Sequence, residues 1–204
     1  SRIQPTPDTW DEEALNFYRE MLRGLLERKM TPMVTLHHFS DPLWFSELGG
    51  WENPEAPILF EKFVHKTVGA LKEYVQFWVT INEPNVYFLA GYVEGAFPPG
   101  KHDLKTAYTV LANLVRGHAA AYHAIHALQP TARVGIAQQY RSFVSASALE
   151  TPVTALARHV FNDLVPRALH DGIVRLPWGR VRIPQAKGTQ DFLGLNYYTR
   201  NYVS

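Results

Sequence analysis

Asn82-Glu83-Pro84 follows Phe77-Trp78-Val79-Thr80-Ile81, a short run of apolar and β-branched residues that reads as a buried strand. A glutamate at that point is fixed by the strand and faces its C-terminal end. The chemistry open to it is proton transfer: a carboxylic acid kept neutral by apolar walls or by a like charge can deliver its proton to a departing oxygen. Cleavage of a glycosidic bond needs such an acid, usually with a second carboxylate across the sugar. Asn82 beside it could hold a sugar hydroxyl. The same glutamate could equally do no more than cap the following helix, and the tripeptide alone does not separate these readings. Two further polar residues fall at the ends of strand-like runs, His38 after Met33 to His37 and Tyr198 after Phe192 to Tyr197. His118, His123 and His126 share one long helix, but 118 and 126 are eight apart with 123 offset, so their spacing does not make a metal site.

The elements that must position these residues alternate along the chain. A helix is expected over about 11–29, with apolar residues at helical spacing and Thr9 with Glu12 at capping-box spacing. A buried strand is expected at 33–38, then a loop at 39–53. Asn53-Pro54 reads as the cap and first residue of a helix running to about 74. The strand at 77–82 leads into a loop containing Gly91, Gly95 and Pro98-Pro99-Gly100. A long helix at 104–128, a strand at 133–137, a helix at 151–169 and a strand at 192–198 complete the series. Such alternation predicts a parallel sheet with helical crossovers, and chemistry at the C-terminal ends of the strands. The fold class expected is therefore α/β, with about four βα units. Four strands cannot close an eight-stranded barrel, so the pattern alone fits an open α/β domain or half of a barrel.

Composition narrows the function classes. With 46% apolar and 19% charged residues over 204 positions, a sizeable core is available and one domain is expected. A net charge of +1 without any basic block offers nothing to nucleic acid or to an anionic membrane surface. There is no cysteine, which excludes disulfides, thiolate metal sites and cysteine nucleophiles. No apolar run is long enough to span a bilayer and no signal peptide is evident, so the cytoplasm is the expected location. The 5 Trp, 10 Tyr and 11 Phe suit a core and also a pocket that stacks sugars.

Taken together, the motifs resemble family 1 glycoside hydrolases, the β-glucosidases and their relatives. Thr80-Ile81-Asn82-Glu83-Pro84-Asn85 resembles the acid/base motif of that family. Pro32-Met33-Val34-Thr35-Leu36-His37-His38-Phe39 resembles its third strand, with Pro42 and Trp44 beyond, and Gly49-Gly50-Trp51 its characteristic turn. Gly91-Tyr92 and Phe97-Pro98-Pro99-Gly100 match the loop after the acid/base, and Asp191 to Thr199 the sixth strand. The resemblance implies a retaining β-glycosidase on part of a (β/α)8 TIM barrel, with residues 1–204 as a single partial barrel domain. It implies Glu83 as general acid/base, Asn82 on the sugar 2-hydroxyl, His38 on the sugar, and Tyr198 and Asn196 near the nucleophile. Phe39 stands where many relatives have Trp, which keeps an apolar wall but loses an indole donor. The implied substrate is a small carbohydrate, a β-glucoside or β-galactoside, and the mechanism requires neither metal nor organic cofactor.

The sequence also departs from the family. No Thr-Glu-Asn-Gly-like nucleophile motif occurs, and Glu47, Glu52 and Glu94 read as solvated loop charges rather than substitutes. The matched motifs correspond to strands three to six, so an incomplete barrel that is inactive alone is expected. An open half barrel exposes two sheet edges. That leaves three expectations: a cut parent enzyme, association with itself or with a complementary barrel fragment, or a weak sugar-binding module.

Overall fold

The computed structural model describes residues 2–203. Helix α1 (Glu12–Glu27) is capped by Asp11, whose side chain accepts from the Ala14 N–H at 2.9 Å. The expected Thr9–Glu12 capping box is not used. Asp11 sits one residue before the helix and is the better placed acceptor, while the Thr9 hydroxyl pairs with that of Thr6 at 2.6 Å. Strand β1 (Met33–His37) follows, then a short helix α2 (Leu43–Glu47) and a 3-10 turn (Gly50–Glu52) inside the expected loop. Helix α3 (Ala56–Leu71) starts three residues after Asn53. Asn53 accepts from the Glu55 N–H at 2.9 Å, an Asx turn that competes with helix entry, and Pro57 rather than Pro54 lies in the first turn.

Strand β2 (Phe77–Asn82) has the expected bounds. It leads straight into helix α4 (Pro84–Tyr92), where a loop was expected. Most of α4 is buried, so it shows no polar face and no helical periodicity to read. Helix α5 (Leu104–Leu128) also has the expected bounds, with Asp103 accepting from the N–H groups of Lys105 and Thr106. Strand β3 (Arg133–Ser145) is eight residues longer than expected. The predicted fourth helix is divided into α6 (Thr151–Arg158), a π turn (His159–Asp163) and α7 (Leu164–Asp171). Pro166 is the local cause: it has no N–H to donate, and its ring crowds the carbonyl four residues earlier. Gly172 ends α7 at φ 74°, and a Cβ there would come within 2.9 Å of the Ile183 carbonyl oxygen. An unexpected hairpin, β4 (Ile173–Leu176) and β5 (Gly179–Arg182), precedes β6 (Phe192–Val203).

The main sheet is ordered β1-β2-β3-β6 and every pairing is parallel. β3 and β6 continue to pair as far as Ser145 opposite Val203, well past the end of β2. Gly135 permits their close approach, since a Cβ there would fall 2.2 Å from the Phe192 carbonyl oxygen. Helices α3 and α5 pack together against the sheet, and Trp51, Trp78, Phe88, Leu114 and Ile136 are fully enclosed between the layers. Burial of each such side chain favours folding by about 1.5–3 kcal/mol.

Side chains of α5 tie the sheet to the segment that leads into β6. His118, fully buried, accepts from Thr80 at Nδ1 (2.7 Å) and donates from Nε2 to the Thr189 carbonyl (2.5 Å). Burial lowers its pKa to about 4, so it is a neutral latch. Asp191 accepts from the Tyr122 hydroxyl (2.8 Å), His126 (3.0 Å) and the Val134 N–H (2.8 Å). Burial works against the charge of Asp191, but these three donors outweigh it and lower its pKa. Burial, then the same carboxylate, pushes the Tyr122 phenol up to about 12. His123 acts at a separate place, donating from Nε2 to the Gln185 carbonyl at 2.9 Å. The three helix histidines thus serve three different latches.

Candidate active site

Asn82 ends β2 and Glu83 is the residue on which the chain turns into α4. Glu83 is only 6% exposed and has a left-handed backbone, φ 47° and ψ 56°. A non-glycine residue there is strained by about 1–3 kcal/mol. The turn is held at both peptide groups. The Glu83 N–H donates to the Ala137 carbonyl of β3, and its own carbonyl accepts from the Tyr87 N–H at 3.0 Å. Pro84 supplies the first helical position, where no N–H is needed.

Asn196 of β6 reaches across to both site residues. Its Nδ2 donates to Glu83 Oε1 at 2.8 Å and to Asn82 Oδ1 at 3.0 Å. Both hydrogens of one amide are used, which sets the two side chains side by side on the mouth of the sheet. Among the described residues, no other hydrogen bond is made to the Glu83 carboxyl, so Oε2 is open to an incoming group. The arrangement can present one carboxyl oxygen, oriented through the other, beside an amide able to hold a hydroxyl.

Among the described residues, no hydrogen bond joins the remaining expected site residues to Glu83, Asn82 or Asn196. His38 is exposed, with its ring 5.3 Å from that of Phe39. Phe39 also has a left-handed backbone, φ 63°; its ring stacks on Tyr87 at 6.5 Å and meets Phe97 edge-on at 5.7 Å. Tyr198, two positions beyond Asn196, is 71% exposed. So the fold brings Glu83, Asn82 and Asn196 together; His38 and Tyr198 are exposed, and Phe39 packs with Val86, Ala90 and Phe161.

Sequence reasoning missed a second network. His37, not His38, is the buried histidine: its Nε2 lies 3.0 Å from Asp41 Oδ1. The Trp51 indole N–H also points at this Nε2 from 3.4 Å. One nitrogen cannot both donate to Asp41 and accept from Trp51, and the shorter contact to a carboxylate wins, so Nε2 carries the proton. The Tyr87 hydroxyl donates to the other oxygen, Asp41 Oδ2, at 2.8 Å. Burial, and then Asp41, raises the Tyr87 phenol well above its ordinary range. Asp41 thereby joins the end of β1 to α4 four residues beyond Glu83. A one-turn spacing from Glu83 was a signal for Tyr87; nothing local distinguished Asp41.

Among the described residues, β1 and β6 form the two edges of the sheet. A cavity of about 250 Å³ lies elsewhere, against β1 and α3, lined by residues such as Tyr18, His37, Phe60 and Thr67. Because it does not contain Glu83, it is not the site of the chemistry argued here. Alternate β6 residues Leu193, Leu195 and Tyr197 are 41%, 61% and 57% exposed.

Comparison with known proteins extends this geometry. The profile described as "Glycosyl hydrolase family 1" matches residues 1–175. Beta-glucosidase A of Thermotoga maritima is 29% identical over 95% of this chain and 46% of its own length. Among solved structures, the beta-glycosidase from Pyrococcus horikoshii superposes with a TM-score of 0.92 and 37% identity, over 98% of this chain and 46% of that one. The beta-glucosidase from Thermotoga maritima in complex with deoxynojirimycin gives a TM-score of 0.87 and 26% identity, over 98% and 49%. The chain spans about half the length of the relatives it matches. Its parallel α/β fold is therefore part of a (β/α)8 barrel.

Proposed function

Because the chain belongs to glycosyl hydrolase family 1, we propose that it carries the acid/base side of a retaining β-glycosidase site, with Glu83 as proton donor. The observation that carries this reading is the Glu83 carboxyl itself, buried in a strained turn at the end of a parallel strand and clasped by Asn196. In this reaction Glu83 protonates the departing glycosidic oxygen, then as a carboxylate takes a proton from the water that ends the cycle. Asn82 hydrogen-bonds the sugar 2-hydroxyl, a contact that strengthens in the transition state. His38, Phe39 and Tyr198 form the rim that receives the sugar. The substrates are terminal β-glucosides or related sugars.

A retaining enzyme places its second carboxyl about 5–5.5 Å from the first, where it forms the covalent glycosyl intermediate. Among the described residues no carboxylate is hydrogen-bonded to Glu83 or Asn196. The 204 residues by themselves are therefore proposed to be without useful turnover, since removing one member of a cooperating pair lowers rate by several powers of ten. The test is hydrolysis of an aryl β-glucoside by this chain, with Glu83→Gln beside it and binding of a sugar-like inhibitor measured for both. Inhibitor binding that Glu83→Gln weakens supports the reading. Equal binding by both proteins removes Glu83 from the site. Turnover by the unaltered chain overturns the one-sided arrangement and directs the search to a second carboxylate.

A second reading is supported by the exposed apolar positions of β6: the open sheet associates with another copy or with a complementary barrel fragment. Native mass measured over a concentration series decides it, a strictly monomeric mass ruling out self-association.

A further inference from the structure

The turn at Glu83 is held by more than its own peptide groups. Asn85 is the second residue of α4 and is fully buried. Its Nδ2 donates to the Gln139 carbonyl of β3 at 2.9 Å and to the Phe161 carbonyl of the π turn at 3.0 Å. Gln138 donates to the same Phe161 oxygen at 2.9 Å. The π turn is in turn fastened to β3 by Asn162, which accepts from the Arg141 N–H at 3.1 Å and donates to the Arg141 carbonyl at 2.8 Å.

We propose that Asn85 is a positioning residue for Glu83: by gripping β3 and the Phe161 carbonyl it holds the start of α4 where the strained turn must lie. The proposal rests on Glu83 being the acid/base. Two features distinguish this from ordinary core packing. First, a left-handed glutamate persists only where its surroundings over-determine it, and Asn85 supplies the side-chain anchor on the helix side of the turn, as Asn82 does on the strand side. Second, Asn85 Oδ1 is buried with no hydrogen-bond partner among the described residues, as is Gln138 Oε1. Each orphaned acceptor is unfavourable by about 1–3 kcal/mol, so an apolar side chain of similar size would serve packing better. What such a side chain would lose is the pair of N–H donors. The π turn completes the device. Widening the helix before Pro166 brings the Phe161 carbonyl into reach of donors from both α4 and β3.

The experiment uses the 204-residue chain and reads two signals at the turn: exchange of the Glu83 N–H and the NMR resonances of the Asn196 side-chain amide. Asn85→Ala is expected to lower stability. It should also speed Glu83 N–H exchange by about tenfold or more relative to strand amides, and move the Asn196 resonances toward those of a free carboxamide. Asn113→Ala is the matched control, since Asn113 is also buried and holds the Trp51 carbonyl at 3.0 Å. It should lower stability and leave both signals in place. Asn85→Ser, a smaller disturbance, is measured alongside and read the same way should the alanine variant not fold. Equal behaviour of the Asn85 and Asn113 variants, with both signals unmoved, overturns the proposal. If the signals move as expected but Glu83→Gln binds a sugar-like inhibitor as well as the unaltered chain, the acid/base reading fails while the positioning by Asn85 stands.

Discussion

At the N-terminal end of the sheet, Asp191 accepts from Tyr122, His126 and the Val134 N–H. At the C-terminal end, Glu83 is clasped by a single carboxamide in a left-handed backbone. The same strands run through both ends, so composition and topology do not separate them. Satisfaction does. Asp191 and His118 have every side-chain polar atom paired, while Gln190 Nε2 next to Asp191 is buried without a partner among the described residues. Around Glu83 two residues, Glu83 and Phe39, have positive φ, and the carboxamides of Asn85, Gln138 and Gln139 each leave an oxygen unpaired. One end is the better satisfied, and the other keeps a strained turn that contacts elsewhere in the fold must hold.

The largest expected effect tests the stabilising end. Asp191→Ala removes three hydrogen bonds to a charged group at once and should destabilise by about 3 kcal/mol, read by urea unfolding. A loss under about 1 kcal/mol would put Asp191 among ordinary surface acids and dissolve the contrast.

The next effect is a pH dependence. His118 has a folded pKa of about 4 against the ordinary 6.5, so the unfolded chain takes up the proton first as pH falls. Its contribution is present above about pH 6.5 and is lost toward pH 4, amounting to about 2 kcal/mol of lost stability by pH 5. Urea midpoints at pH 7.5 and 5 should therefore differ more in the unaltered chain than in His118→Asn. Parallel slopes for the two proteins would show that the latch is not what titrates.

The smallest effect is of opposite sign and tests the strained end. Glu83→Gly relieves the left-handed glutamate, so stability should stay level or rise by about 1 kcal/mol while binding of a sugar-like inhibitor is lost. A clear loss of stability would mean that the Glu83 side chain supports the fold.

The same contrast governs what could be read from sequence. β2 and α5 were legible because their signals are local: a buried β-branched run and a long stretch of helix-forming residues. Asn82-Glu83 was legible as one motif and Asn196 as part of another, and the structure brings the three side chains together. α4 was not, since a helix buried nearly all round has no polar stripe. The extensions of β3 and β6 were hidden by mixed polar and aromatic residues, and the π turn by a proline that marks a break without giving its form. Asn85, Asp41 and Tyr87 were missed because their roles lie in partners far along the chain. Asn85 meets residues 54 and 76 positions away, and Tyr87 one 46 positions away.

The reach of Asn196 has a consequence in time as well as in space. It lies 113 residues after Glu83, on the last of the four strands described in this sheet. At a synthesis rate of about 5–20 residues per second, Glu83 leaves the ribosome roughly ten seconds before its clasp exists. During that interval β1, β2 and the helices between them can begin to assemble, but the edge of β3 that β6 will cover stays bare. A chaperone that shields that edge would therefore guard the birth of the site as well as the solubility of the chain.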